Sequence, residues 1–476
     1  MKVVTVSEMR ALERAAMARG ISEAMLMEEA GRGIGRHLLA EFPGAGKFFF
    51  LCGKGNNGGD GLVAARTLRE AGREARCFSP FSLDDPMAEP MSAWPGQTAD
   101  GAVFIDALLG VGARGPLRGE IGDIARNIFG NARGSVAAID IPTGVDADTG
   151  AAADDAVRAD LTITCGFPKI GMFDASAPGY VGRVRVAPLS IPDDALAVLE
   201  GPEFFTDAEA RRLLPRRAWS AHKGHFGHVV VIAGNVGTSG AAVMAIEGAL
   251  HAGAGLVTAF VPEAAQPIVA SCVMEAMVRP YRDVSECVGQ LPEGAVCVIG
   301  PGLGVTDKVA ALLGALAEGP ASRMVLDADA ITALARERSL LRCLNASTLL
   351  TPHPGEMRRL MGKEIGERVK ACAEFSDLSR AALLLKGAYT IVSQSGRTTS
   401  FNSTGNPGMA TGGMGDVLAG ICGGLMAQGL DAHDAGRLGA FLHGRAGDLA
   451  LRGQSHQSLL PRHLIEAMGP AFCSLA

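Results

Sequence analysis

Two glycine-rich runs carry the residues best suited to chemistry. The first, residues 53 to 61, reads "GKGNNGGDG" directly after the apolar "KFFFLC"; the second, residues 405 to 416, reads "GNPGMATGGMGD" directly before "VLAGICGGLMAQG". Backbone N–H groups at a turn that feeds a helix, with the positive end of the helix dipole, suit a phosphate. In the second run Asp416 falls at the first helical turn. A carboxylate there can take the proton of a hydroxyl as that oxygen attacks phosphorus, while the loop amides stabilise charge on the transferring phosphoryl group. Neither run is a P-loop, since no Gly-Lys-Ser/Thr follows. A sharp turn for the first run and a plain helix N-cap for the second are the alternatives that pattern alone leaves open.

Further polar groups stand at the ends of apolar runs: Asp106, Asp140 with Thr143, and Lys169 in the first half. Strand ends line up along one edge of an open parallel sheet, so these groups can converge on one crevice. Asp106, Thr143 and the Asn57 amide are hard oxygen ligands of the kind a group I or II cation takes, whereas Asp140 and Lys169 form a candidate acid–base pair. In the second half, "LLLKGAYT" offers Lys386, Gly387 and Thr390 to nucleotide phosphates or ribose, and "GPGLG" (300 to 304) admits a ligand near the backbone. "TPHPGEM" (351 to 357) sets His353 and Glu356 in a stiff turn, where a single histidine is more often structural.

The elements that must hold these groups alternate. A helix opens the chain, announced by Thr5 and Glu8 at capping-box spacing before Met9, Leu12 and Ala16. Buried strands are expected at 47 to 53, 102 to 110, 135 to 144 and 161 to 166, with helices such as "GLVAARTLREAG" between them, a pattern that implies a parallel sheet covered on both faces. Periodicity fails between about 190 and 222, where prolines and charge cluster. A second alternating series follows ("HVVVIAG", "GLVTAFVP", "AVCVIGPGLG", "RMVLDADAITAL", "STLLTPHPGEM", "AALLLKGAYTIVSQSG") that is not a copy of the first, so the 476 residues form two unrelated α/β domains.

Composition sets the remaining bounds. Apolar residues make up 48% and charged residues 20% of the chain, the balance of a well-packed protein. The formal charge of −6 and the lack of basic runs argue against a nucleic-acid partner. Ten cysteines without a C-x-x-C pair suggest neither a zinc site nor a disulfide framework, but small buried hydrophobes in a reducing, cytoplasmic setting. The charged N-terminus lacks the apolar middle of a secretory signal, and the uncharged run 229 to 246 is interrupted by Asn235, Thr238 and glycines, so it reads as strand, loop and helix and no membrane span is expected.

Taken together, "NNGGDG", "DALLGVG", "IDIPTGVDADTG" and "GFPKIGM" resemble the N-terminal domain of the bifunctional NAD(P)H-hydrate repair enzymes, over residues 1 to about 205. The resemblance implies a Rossmann-like three-layer α/β/α sandwich spanning 1–210 that epimerises the R and S forms of NAD(P)HX, the hydrated form of NAD(P)H. It places the substrate at Asn56, Asn57, Gly58, Gly59 and Asp60, at Gly110, Val111, Gly112, Ala113, Arg114, Gly115 and Pro116, and at Asp140, and it puts a potassium ion at Asn57, Asp106 and Thr143. Asp140 and Lys169 are the acid and base expected near the ring.

"HKGHFGHVVVIAG", "TSGAAVMA", "PGLG", "TPHPGEMRRL", "KGAYT" and "NPGMATGGMGD" are likewise similar to the NAD(P)H-hydrate dehydratase domain of the ribokinase-like superfamily. That implies a second α/β/α domain over 211–476, in which Asp416 is the catalytic base. Ala241, Gly304, His353, Pro354, Gly355, Glu356, Met357, Arg358, Arg359 and Asp416 would contact NAD(P)HX. Lys386, Gly387, Ala388, Tyr389 and Thr390, with Asn406, Pro407, Gly408, Met409, Ala410, Thr411, Gly412, Gly413, Met414 and Gly415, would hold ADP, accompanied by Mg²⁺. A homo-oligomer is expected. The "AGN" at 233 to 235 departs from the usual Gly-Ser of the family. A kinase of a small hydroxylated vitamin would use the same Asp416 without requiring "TPHPGEMRRL", and a first domain that only binds is the non-catalytic alternative.

Overall fold

Alternating apolar runs and helices build two separate sheets. The structure, a computed structural model, describes residues 1–96, 101–174, 176–318 and 323–476, the side chains of residues 318 and 343 excepted. It divides into two units, Met1–Pro202 and Glu203–Ala476.

Among its described residues the first unit has seven strands: β1 (Lys47–Cys52), β2 (Glu74–Ser79), β3 (Ala88–Pro90), β4 (Val103–Ala107), β5 (Ser135–Ile139), β6 (Leu161–Cys165) and β7 (Arg183–Ala187). They pair in the order β3-β2-β1-β4-β5-β6-β7, every pair parallel. Strand β1 shows why three layers form. Phe48, Phe50 and Cys52 pack with helices Glu23–Glu41 and Asn56–Glu70, while Phe49 and Leu51 face the other way, toward Ile124 and Ala125 of helix Gly119–Asn127. Chain order reverses between β1 and β4, the position at which open parallel sheets take ligands beyond their carboxyl edge.

Among its described residues the second unit holds ten strands: β8 (Glu203–Phe205), β9 (His228–Ile232), β10 (Leu256–Pro262), β11 (Met277–Tyr281), β12 (Val296–Ile299), β13 (Met324–Leu326), β14 (Thr348–Leu350), β15 (Ala382–Leu385), β16 (Ile391–Ser393) and β17 (Ser400–Asn402). Their order is β11-β10-β9-β12-β13-β14-β15-β16-β17-β8, parallel through β15 and antiparallel at β15/β16 and β16/β17. The switch point is β9/β12. Helix Met414–Ala427 lies unusually close to helix Ser239–His251, because a Cβ on Gly248 would overlap the Val417 carbonyl and one on Gly420 the Ala245 carbonyl. This packing fixes the height at which Asp416 meets the sheet.

Two expectations shift. The segment 190 to 222, read as lacking a strand, contributes β8, which pairs in parallel with β17 and sets Phe205 edge-on against Phe441 at 5.6 Å. β8 opens the second compact unit, Glu203–Ala476. The helix expected from about residue 61 starts instead at Asn56, so the glycine motif is its first turns. Its glycines serve close packing: a Cβ on Gly58 would overlap the Gly53 carbonyl, and one on Gly61 would come within 2.8 Å of Ala107 Cβ. Seven of the nine cysteines with described side chains are buried; Cys343 lies outside the described side chains. Among the described residues no helix is long and apolar enough to cross a membrane.

Candidate functional site

In the first unit, Asp106 ends β4 fully buried. Its Oδ2 accepts from the Thr143 amide at 2.7 Å, and its Oδ1 from the Thr143 hydroxyl at 2.7 Å and the Leu108 amide at 3.2 Å. Burial pushes the Asp106 carboxyl up to about 6, with the two Thr143 bonds and the Leu108 bond pulling the other way. Asn57, one residue into the helix that follows β1, is buried with neither amide atom hydrogen-bonded among the described residues. A Cβ on Gly110 would lie 3.5 Å from Asn57 Oδ1, so the Gly110–Pro116 loop passes over this amide. Arg114 of that loop turns outward to Asp148 at 2.8 Å.

Asp140 follows β5 with φ of 63°, a left-handed conformation that costs a non-glycine residue energy and is found where surroundings over-determine it. Its amide is held by the Ile163 carbonyl at 2.8 Å. Its Oδ1 accepts from Lys169 Nζ, from Thr164 Oγ1 at 3.1 Å and from the Cys165 amide at 3.3 Å. Lys169 is almost fully buried and spends its other protons on Thr164 Oγ1 (2.9 Å) and the Cys165 carbonyl (3.0 Å). The Cys165 thiol reaches Asp60 Oδ2 at 4.0 Å. Burial, reinforced by Asp140 and opposed by Lys169, holds the Asp60 carboxyl well above the usual range. Asn56 instead faces outward, donating to Glu23 Oε1 at 2.7 Å.

In the second unit the groups meet at the ends of β9, β12, β13, β14 and β15. The loops after β9 and β12 clasp each other through Thr238 Oγ1 to the Gly302 carbonyl (2.7 Å) and Asn235 Nδ2 to the Leu303 carbonyl (3.1 Å). Asn235 thus has a use that a serine side chain could not reproduce in both reach and donor number. Ala241 sits within 2.9 Å of a Cβ placed on Gly302, and the Gly304 amide donates to Asp329 Oδ2 at 2.8 Å. Lys386 Nζ lies 2.6 Å from Asp327 Oδ1 and 3.9 Å from Glu356 Oε2. A Cβ on Gly415 would stand 3.2 Å from that ammonium, which brings the glycine loop and Asp416 against it. Burial pushes the Asp416 carboxyl up to about 7; Asp327, Asp329 and Glu356 add to this and Lys386 opposes it. Burial pulls Lys386 down, but Asp327, Glu356 and Asp416 outweigh it and hold the ammonium above its ordinary value.

The loop itself is a constructed entry to helix Met414–Ala427. Gly413 caps it with φ of 93°, and Gly405 carries φ of 110°. Asp448, on helix Ala432–Ala450, accepts from the Gly405 amide and from Asn406 Nδ2, both at 3.0 Å, and Asn406 Oδ1 accepts from the Gly408 amide at 3.1 Å. His353 is an N-cap, its Nδ1 accepting from Gly355 N at 3.0 Å and Glu356 N at 3.4 Å. In its helix Pro354–Met361, Met357 is fully buried in the core, so that residue of the expected substrate run is out of a ligand's reach, while Arg358 and Arg359 are exposed. Gly387 and Tyr389 both take positive φ, and Thr390 Oγ1 closes their turn onto the Gly387 carbonyl at 3.1 Å.

Sequence reading missed Glu13, Asp327, Asp329, His443 and Asp448. Asp327 carried a readable signal, a strand-end acid in "RMVLDADAITAL" like Asp106. His443 carried none; its imidazole lies buried with Nε2 unpartnered among the described residues, and burial drives it down to about 4.

A family model described as "NAD(P)H-hydrate dehydratase" matches residues 229–469, and one described as "YjeF-related protein N-terminus" matches residues 23–171. The chain is 37% identical over 482 residues to the bifunctional NAD(P)H-hydrate repair enzyme Nnr of Coxiella burnetii, covering 96% of each chain. It is 36% identical to the enzyme of the same name from Moorella thermoacetica, covering 98% of this chain and 96% of that one. Among solved structures, a ribokinase-like superfamily protein of Enterococcus faecalis (27% identity, TM-score 0.53) aligns with 58% of this chain and 98% of its own. The ADP/ATP-dependent NAD(P)H-hydrate dehydratase of Bacillus subtilis, crystallised with ATP and Mg²⁺, aligns with 58% of this chain and all of its own (26% identity, TM-score 0.51).

Proposed function

Because the chain belongs to the family of bifunctional NAD(P)H-hydrate repair enzymes, we propose that the two clusters just described are its epimerase and dehydratase sites. The enzyme interconverts R- and S-NAD(P)HX and dehydrates the S form to NAD(P)H with ADP. The first activity belongs to the unit ending at Pro202 and the second to the unit that follows.

In the dehydratase, Asp416 takes the proton of the ring hydroxyl as its oxygen attacks the terminal phosphorus of ADP, and the bond to the AMP oxygen breaks. The C–O bond of the phosphate ester so formed breaks with the ring-nitrogen lone pair pushing, phosphate departs, and loss of the neighbouring ring proton to water restores the double bond. Hydroxide would leave far less readily, which is the reason for using a kinase fold. The observation that carries this reading is the Gly415 backbone beside Lys386 Nζ and Asp327, which sets the adjoining Asp416 within their electrostatic reach, with burial pushing its carboxyl up to about 7 as suits a general base. Lys386 to Thr390 and Asn406 to Gly415 hold ADP, and the exposed residues of 353 to 359, with Ala241 and Gly304, hold NAD(P)HX. Asp327 and Asp329 are hard oxygen donors suited to the Mg²⁺ that accompanies a nucleotide and neutralises its phosphates.

In the epimerase, Asn57, Asp106 and Thr143 would hold potassium. The unpartnered Asn57 amide and the buried Asp106 carboxyl fit such an ion, which supplies positive charge beneath the substrate loop. Asp140 is the base, its Oδ2 left open by bonds that all fall on Oδ1. Lys169, bonded to Asp140 Oδ1, fixes the orientation of that carboxylate. Assembly into a homo-oligomer is part of the same reading.

Purified protein given a mixture of R- and S-NADHX with ADP and Mg²⁺ should restore reduced-nicotinamide absorbance to completion. Absorbance stopping when the S form is exhausted would refute the epimerase assignment. No return at all, with phosphorylation of a vitamin alcohol instead, would favour a kinase.

A further inference from the structure

The epimerase site has a wall that the matched family segment leaves out. Helix Val6–Ala18 precedes residue 23, where that match begins, yet the chain leading into it is bound to the Lys169 segment: the Val4 amide donates to the Pro168 carbonyl at 2.9 Å and the Ile170 amide to the Val4 carbonyl at 2.9 Å. The helix is fixed at its start by the Thr5–Glu8 capping box and by Asp148 Oδ1, which accepts from the Val6 amide at 2.7 Å. Its buried Met9 fills the space above Gly166, where a Cβ would lie 2.9 Å from Met9 Cε. Glu13 stands one turn further along the same face as Met9, and its carboxyl acts electrostatically on Cys165, whose amide and thiol touch Asp140 and Asp60 respectively.

This placement gives Glu13 specific neighbours. Lys169 and Asp140 act on its carboxyl, as do Arg10 of its own helix and Glu23 at the start of the next, and Asp60 is affected by Glu13 in turn. Glu13 itself has no hydrogen bond or ion pair among the described residues, in contrast to the fully bonded Lys169 ammonium. All three Lys169 protons are committed, to Asp140, Thr164 and Cys165. Lys169 therefore has none left to give to a leaving hydroxyl.

We propose that Glu13 is a proton-transfer residue of the epimerase, the acid that complements Asp140 as base. The inference rests on the epimerase reading of this site. The Glu13 carboxyl gives its proton to the ring hydroxyl; the C–O bond breaks, water departs, and the ring-nitrogen lone pair forms an iminium. Water then adds to the other face, forming the new C–O bond and passing its proton to Asp140 Oδ2. The reverse epimerisation runs the same steps backward with the two carboxyl groups exchanging roles. Burial raises the Glu13 pKa, Lys169 opposes this and Asp140 reinforces it, so the acid form persists to higher pH than for an exposed glutamate.

The test uses the full chain, with Glu13→Gln and Glu13→Asp compared with the unaltered enzyme for R-to-S conversion across pH. Glu13→Gln should lower kcat about 100-fold or more while KM moves by less than about threefold; the unaltered enzyme should decline at alkaline pH as Glu13 ionises, and the residual rate of the variant should lack that decline. Glu13→Asp should recover part of the rate and the alkaline limb. ADP-dependent dehydration of S-NADHX, carried by the other unit, should be unchanged in both and reports intact protein. Full epimerisation by Glu13→Gln, or a loss confined to KM with an unaltered pH profile, would overturn the proposal. An unaltered enzyme that fails to epimerise would instead refute the epimerase reading itself.

Discussion

The Lys169 ammonium donates to Asp140 Oδ1 inside the protein, and its remaining protons go to Thr164 and Cys165. An ion pair so enclosed holds one partner for the other. Removing one charge from a buried pair strands the second in a poor solvent.

Lys169→Met should therefore abolish R-to-S conversion and destabilise the first unit by about 3–5 kcal/mol, the usual cost of stranding a buried charge. Thermal melting with both activities assayed checks this. Dehydration of S-NADHX should survive wherever the second unit remains folded.

Asp106 yields a pH-linked prediction for the ion. Its folded pKa of about 6 lies above the ordinary carboxylate value, so the folded state holds more protons than the unfolded state between about 4 and 6, and its ionisation costs stability as pH rises through that window. A cation offsets that cost only once the carboxyl is ionised. Added KCl should raise the melting temperature of the first unit at pH 7.5 more than at pH 5, relative to equal choline chloride, and Asp106→Asn should erase the difference.

Asp448 is bonded to Gly405 and Asn406 but lies outside the glycine loop. Asp448→Ala should leave two donors at the loop entry without a partner, raising KM for ADP about tenfold, in line with the loss of a charge-assisted bond worth about 1.5–3 kcal/mol. KM for S-NADHX should change less. Steady-state titration of each substrate separates the two.

How much of this was readable in the residues depended on distance along the chain. Asp106, Asp140 and Asp416 end strands or open helices beside glycines, so local pattern placed them. Thr5 and Glu8 announced the first helix for the same reason, and the capping box is present. Glu13 and Asp448 are ordinary charged residues on amphipathic helices; what distinguishes them is which loop their helix packs beside, a long-range fact. The glycines at 58 and 61 were read as a phosphate turn because spacing shows that side chains are absent but not what fills the space. The structure shows Gly53 and Ala107 there, and the helix starts at Asn56. β8 escaped notice because three residues carry too little alternation to register, and its pairing partner lies almost 200 positions away.

In the proposed dehydration Asp416, whose carboxyl is pushed up to about 7 by burial and its acidic neighbours, removes the hydroxyl proton. For the unaltered enzyme, kcat/KM for dehydration should rise through about pH 7 as this carboxyl ionises and then level. The most direct measurement is dehydration of S-NADHX by Asp416→Asn alongside calorimetric titration of ADP. The account predicts that turnover falls by at least about 100-fold, with ADP affinity and R-to-S conversion retained. Dehydration within about tenfold of normal, or loss of ADP binding along with it, would contradict the role assigned to this residue.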